Sequence, residues 1–301
     1  MDKNTISRFI WLIDTLQTND GLTREQINQM WISAKVDNGN PLPERTFYNY
    51  RRYIEEIFRL EIVCNRAGEY YIPKENNKGA NGVTDWLLDS FAINNLLAES
   101  PDIADRIEIE EVPSAREYLP IVIRAMRSGN VLKFDYSAFN RSLIEKDLEF
   151  RPYFLKRYKQ RWYMIGARGT KKEIRTYALD RVKAMRITEA QFRYPENLLI
   201  SDVLGGIVGV TSSKADERVV RLRASRTTAK YLRALPLHRS QQEELTDSSY
   251  SIFKYKLKIN YELVHEIMSL GDGVMVMEPN ELKIMVVNEL KKTLDQYGNF
   301  S

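Results

Sequence analysis

The sequence predicts an α+β chain of several domains. Three observations carry this. Residues 1–75 show three helical periodicities and then a hairpin; residues 118–193 show one helix and about five short alternating strands; residues 194–301 repeat a strand–helix order three times. A length of 301 residues fits two or three domains.

In residues 1–75, Ile6, Phe9, Ile10, Ile13 and Leu16 recur at helical spacing. Thr23 reads as an N-cap with Gln26 reaching back to it, and Ile27, Met30 and Trp31 form the apolar face that follows. Asn38-Gly39-Asn40-Pro41 is a break. A third helix runs from about Pro43 to Leu60, with Phe47, Tyr50, Ile54, Ile57 and Phe58 inward. Residues 62–65 and 70–73 then pair around a turn at 66–69. Three helices and a hairpin is the order of a winged helix-turn-helix, although the connection at 35–42 is longer than the usual tight turn. In that arrangement the third helix enters the major groove of operator DNA. Its candidate contacts are Arg45, Thr46, Tyr48, Asn49, Arg51 and Arg52, with Arg66 of the wing on the backbone or minor groove. Against this, the segment holds 10 Lys and Arg and 11 Asp and Glu, a weak base for non-specific DNA binding.

Residues 76–82 are polar and glycine-bearing, the clearest boundary in the chain. Thr84-Asp85 caps a helix apolar over much of its circumference (Trp86, Leu87, Phe91, Ile93, Leu96, Leu97), and 107–112 alternates as a short strand. Residues 76–117 thus read as linker and connector.

In residues 118–193, a helix over 118–126 stops at Ser128-Gly129-Asn130. Strands follow over 131–136, 150–158, 161–167, 173–179 and 183–188, with Pro152 expected at an edge or a bend. Together they fit a small, strongly bent barrel. Residues 151–193 hold 13 Lys and Arg against 3 Asp and Glu, which points to a polyanionic partner. Arginines suit phosphate oxygens, and tyrosines offer a stacking face and a hydroxyl. The candidate ligand residues are Tyr136, Ser137, Arg151, Tyr163, Arg175 and Arg181, with Arg175, Tyr177, Leu179 and Arg181 on one face if that strand stays regular. Trp162 and Met164 read as core.

These motifs carry a resemblance. Trp162-Tyr163-Met164 resembles the tripeptide that names the WYL domain, with Met for Leu. Phe134-Asp135-Tyr136, Arg151-Pro152-Tyr153 and the run from Arg175 to Val182 are similar to its other strand motifs, in the same order. The resemblance implies an Sm-like barrel that senses a nucleotide or single-stranded nucleic acid and controls an attached DNA reader.

Residues 194–209 form a connector with glycines at 205, 206 and 209. Strands follow over 217–224, 250–259 and 273–279, and helices over 227–235, 261–269 and 281–297. The segment resembles the extension that follows many WYL domains, without the Trp common there. The resemblance implies a role in dimer contact and effector tuning.

The single cysteine, Cys64, excludes an internal disulfide and a cysteine-based zinc site, and two histidines are too few for most histidine metal chemistry. No apolar run approaches the roughly 18 residues of a membrane helix, and no signal peptide is legible; the expected location is the cytoplasm. No Gly-rich phosphate loop, nucleophile motif or metal-ligand spacing stands out, so neither an enzyme nor a cofactor is expected. Two functions remain: a homodimeric, ligand-responsive transcription regulator, and an accessory RNA- or single-stranded-DNA-binding modulator of another machine. The second draws on the basic segment and the near-neutral front.

Overall fold

The computed structural model describes residues 3–58, 60–73, 90, 105–108, 110, 115, 117–139, 141–169, 173–212 and 215–298. The expected linker 76–82, nearly all of the helix from Thr84 to Leu97, and residues 109, 111 and 112 of the expected 107–112 strand lie outside them; the described residues 107, 108 and 110 form no strand. The chain divides into two compact units, Met1–Glu110 and Glu111–Ser301.

The first unit runs α1 (Lys3–Thr18), β1 (Leu22–Thr23), α2 (Arg24–Ser33), α3 (Glu44–Phe58), β2 (Val63–Cys64) and β3 (Glu69–Tyr71). The start of α2 is set by the expected capping box: Gln26 N donates to Thr23 Oγ1 at 3.3 Å, and Thr23 N to Gln26 Oε1 at 2.8 Å. The three helices bury Phe9, Leu12, Ile27, Trp31, Phe47 and Ile54 in one core, each large side chain contributing roughly 1.5–3 kcal/mol. Two sequence expectations need correction. Met30 and Ile57 are exposed, because α2 and α3 turn narrower stripes inward than their apolar residues allow for. The hairpin also gains a third strand, as Leu22 and Thr23 pair with Tyr70 and Glu69. Two residues are too short a run to show a period.

The second unit opens with α4 (Leu119–Ser128), closed by Gly129 at φ 67°. Then come β4 (Asn130–Tyr136), β5 (Glu145–Tyr158), β6 (Arg161–Arg168), β7 (Ile174–Ala178), a 3-10 turn (Leu179–Arg181) and β8 (Val182–Gln191). All pairings are antiparallel, in the order β7-β6-β5-β4-β8. A flat sheet of five strands would hold its edges about 19 Å apart. Here a three-residue 3-10 turn joins the two edges, advancing only about 2 Å per residue. The sheet therefore curls until the end of β7 meets the start of β8. No ladder joins those two strands among the described residues, so the curl is not hydrogen-bonded shut along its length. Pro152 lies in a central strand rather than an edge, and the bend falls beside it, where the β5–β6 register shifts between Pro152 and Phe154. Inside the curl, Phe134, Tyr136, Phe150 and Tyr177 meet edge-to-face at centroid distances of 4.9–6.1 Å.

After a short helix α5 (Ile200–Leu204) come β9 (Arg218–Ser225), α6 (Arg226–Ala234), β10 (Gln242–Thr246), β11 (Tyr250–Leu257), α7 (Tyr261–Ser269), β12 (Val274–Glu278) and α8 (Asn280–Tyr297). The sheet order is β10-β11-β9-β12. The strand alternations place Val220, Leu222, Ala224, Phe253, Tyr255 and Leu257 in the core, as the sequence reads. Strand β10 is an addition; every residue in it is exposed, so no apolar period marks it.

The connector 205–211 is clamped from both sides. Lys156 Nζ donates to Gly209 O and Thr176 Oγ1 to Val210 O at 2.9 Å. Glu262 on α7 accepts from Thr211 N at 2.9 Å and from Thr211 Oγ1 at 2.6 Å. Nearby, Tyr158 donates to Glu266 Oε1 at 2.8 Å, and Lys159 pairs with the same carboxylate.

Candidate functional site

On α3, Arg45, Tyr48, Asn49 and Arg52 are all exposed. Their spacing of three, four and seven residues puts them on one helix face. The structure separates the other expected contacts from them. Arg51 pairs with Glu55 at 3.0 Å and lies 6.0 Å from the Tyr70 ring, ties within its own unit. Thr46 is half-buried. Arg66 sits exposed in the β2–β3 turn, which is shaped by Asn65 Oδ1 accepting from Ala67 N and Glu69 N at 2.9 and 3.0 Å.

The six expected ligand residues fall in three places. Strand β7 ends at Ala178 and the 3-10 turn breaks its alternation, so Arg175 and Arg181 do not share a face. Arg175 is exposed opposite Gly166 and pairs with Glu173 at 2.8 Å. Arg151 stands opposite Ala167, donates to Gly169 O, and lines a separate cleft.

Tyr136, Ser137 and Arg181 do come together. Ser137 N donates to Arg181 O at 3.0 Å. Tyr136 is buried, with Ala178 N donating to its hydroxyl at 3.3 Å. Burial pushes that phenol up; the bond from Ala178 and the nearby Arg181 guanidinium partly offset it. Tyr163, half-buried, stands opposite Ala178 and Lys156.

The sequence reading missed three members of this cluster. Phe139, 77% exposed, lies with its ring centroid 3.6 Å from the Arg181 guanidinium carbon and 6.0 Å from that of Arg161. Arg161 pairs with Asp180. Burial works against the charge on Arg161, but its bonds to Asp180 outweigh that and raise it. Buried Nε atoms of Arg161 and Arg181 and buried Oδ1 of Asp180 have no hydrogen-bond partner. Among the described residues no carboxylate pairs with Arg181. The cluster is therefore cationic and carries an exposed ring. One aromatic in the polar loop 137–141 was the available signal.

Trp162 and Met164 face the curled sheet's core, Met164 fully buried and Trp162 partly. Among the described residues no group of three or more His, Cys, Asp or Glu could hold a metal ion, and no helix is long and apolar enough to cross a membrane.

Comparison with known families now bears on these features. Residues 117–187 match the WYL domain, which spans α4, the curled sheet and the Phe139–Arg161–Arg181 cluster. The chain is a WYL-domain protein. Residues 216–294 match the WCX domain, so it belongs among those WYL-domain proteins that carry a WCX domain behind the first. Curated proteins give no match. Among solved structures, proteasome accessory factor B/C (PafBC) of Arthrobacter aurescens is similar at 19% identity and a TM-score of 0.39. That match covers 98% of this chain and 47% of the other, so this chain spans about half of its length. The crystal structure of a CRISPR Cas-related protein is similar at 11% identity and a TM-score of 0.40, covering 98% of this chain and 84% of the other.

Proposed function

We propose that the chain is a ligand-responsive transcription regulator. In this reading residues 1–75 are a winged helix-turn-helix that reads operator duplex as a homodimer. The WYL domain senses a nucleotide or single-stranded nucleic acid. The observation that carries the reading is the exposed face of α3, Arg45, Asn49 and Arg52 with Tyr48, whose hydroxyl bonds that of Tyr70 at 3.2 Å, in a unit whose element order is helix, strand, helix, helix and hairpin. Arg and Asn are the side chains that pair bidentately with guanine and adenine in the major groove, and a twofold dimer would read an inverted repeat. The effector site is the cluster of Arg161, Arg181, Phe139, Tyr136, Ser137 and Tyr163, where guanidiniums take phosphate and the open ring stacks a base. The chain acts by binding rather than catalysis. An effector changes operator affinity only through its different affinity for the two states of the protein.

Mobility shifts on DNA upstream of the protein's own gene test this, with and without short single strands. Asn49→Ala with Arg52→Ala should weaken operator binding at least about 30-fold, each base contact being worth about 1–3 kcal/mol. Arg181→Ala should leave operator binding intact and remove the response to single strands. Absence of any sequence-specific shift, under both conditions, would sink the reading.

The basic run of residues 151–193 favours a second reading, an accessory RNA- or single-stranded-DNA-binding modulator. Biological activity that survives the double substitution on α3 would favour it.

A further inference from the structure

Away from the Arg181 cluster, the second unit contains a cleft of about 860 Å³, lined by Arg151, Tyr153, Ile174, Phe192, Arg193 and Tyr194 among others. Three of those six lie beyond the segment that matches the WYL domain. Arg151 stands at the β6 position of Ala167, six residues along the strand from Arg161, or about 20 Å at the usual strand rise. The two sites are therefore separate.

The walls of the cleft are fixed by the backbone. The register shift after Pro152 places both Tyr153 and Phe154 in the small core on this side of the sheet. Phe192 N donates to Gly129 O at 2.7 Å, holding the far wall against the end of α4. Tyr194 is held by its hydroxyl, which donates to Leu198 O at 2.7 Å, and its ring meets Tyr153 and Phe154 edge-on at 5.7 and 6.1 Å. It remains 41% exposed, so part of a rigidly held ring is open to solvent. Arg151 donates one nitrogen to Gly169 O, and among the described residues no carboxylate pairs with it. Arg193 pairs at the rim with Glu196, but both side chains are largely exposed, at 87% and 69%. Such a pair contributes little and is readily exchanged for another anion.

We propose that this cleft binds a nucleoside 5′-phosphate unit, its base on the Tyr194 ring and its phosphate on Arg151 with Arg193. An open, immobilised tyrosine is a stacking platform that accepts any base. A half-buried arginine with no carboxylate partner among the described residues is a phosphate partner. The volume lies within the range of small-molecule sites. The choice of ligand class rests on the effector reading above; the site itself does not. The unit can be a free nucleotide or the phosphorylated end of a strand, which share this chemistry.

The test uses the full chain and 2-aminopurine riboside 5′-monophosphate, whose fluorescence is quenched on stacking. A parallel arm uses a short oligonucleotide carrying the same residue at its phosphorylated 5′ end. Saturable quenching is expected in at least one arm, and the arm identifies the source. The unphosphorylated nucleoside should bind at least about tenfold more weakly, as should the nucleotide to Arg151→Gln or Tyr194→Ala. Tyr194→Phe should keep the binding. Photolabelling of the unaltered protein with 8-azidoadenosine 5′-monophosphate, mapped by mass spectrometry, does not depend on any variant folding. Label on residues 191–198 supports the cleft. Label confined to residues 137–141 overturns it while leaving the effector reading standing, and failure of both nucleotide probes to bind also overturns it. Loss of sequence-specific operator shifts with the cleft label intact would remove the regulator reading alone.

Discussion

At the residue scale, the tightest constraint is at Gly166. A Cβ there would stand 1.9 Å from the carbonyl oxygen of Arg151, backbone on the central strand β5. Neither strand can withdraw without breaking ladder bonds on both sides. Gly166→Ala should therefore cost about 2–3 kcal/mol or more. Gly169 is the control: at φ +57° with nothing within 4 Å of its Cβ position, its alanine variant meets only backbone strain, about 1–2 kcal/mol. Urea unfolding of the two variants measures both, and an equal loss would refute the packing argument. The same scale explains why the sequence reading found Arg181 but not its partner. Charge marks Arg181 in the sequence, whereas Phe139 matters only because a loop folds its ring over that guanidinium.

At the scale of elements, β5 is the strand to watch. Its middle carries Arg151 and Tyr153 at the cleft, and its far end carries Lys156 and Tyr158 at the clamp on the connector and α7. Burial lowers the Lys156 ammonium and raises the Tyr158 phenol, the latter helped by its bond to Glu266. One strand thus joins the WYL sheet to the WCX domain through partly buried polar contacts, which cost free energy when left half-made. Tyr158→Phe combined with Lys159→Ala removes two direct partners of the Glu266 carboxylate. The expected result is effector affinity within about twofold of the parent, with a reduced effect of effector on operator binding. Paired anisotropy and mobility-shift titrations measure the two quantities. An unchanged coupling would show that the clamp only packs.

At the scale of the whole molecule, two exposed carboxylates of the WCX sheet add a small acid-sensitive part to stability. Glu243 is held down to about 2 by Arg233 first, and Glu244 to about 2 by Arg221 first and then Lys254. Both folded values lie below the ordinary 4.5. Their contribution is therefore complete above about pH 4.5 and is lost as pH falls toward 2. Arg221→Gln with Arg233→Gln should lower the urea midpoint at pH 6, and the gap from the parent should close on acidification through that window. Salt should narrow the gap at pH 6, because these pairs are exposed. A gap that persists at pH 2 would assign the effect to packing instead.

The sequence by itself determined the elements with a period and the family. The capping box at Thr23, the alternation of β4, β9 and β11, and the Trp162-Tyr163-Met164 surroundings are local patterns, and local patterns need no partner to be read. It also located the charge, since a basic run is visible as composition. Tertiary structure decided which of those charges meet. Arg175 and Arg181 share a face only if one strand continues, and a three-residue turn separates them, while Arg151 on β5 lines a different cleft. Phe139, Arg161 and the Phe192–Tyr194 wall came to their sites through a curl and a register shift. Spacing along one strand fixes which side each residue faces. Which residues become neighbours depends on how far the sheet bends, and that is set by the packing of all five strands together.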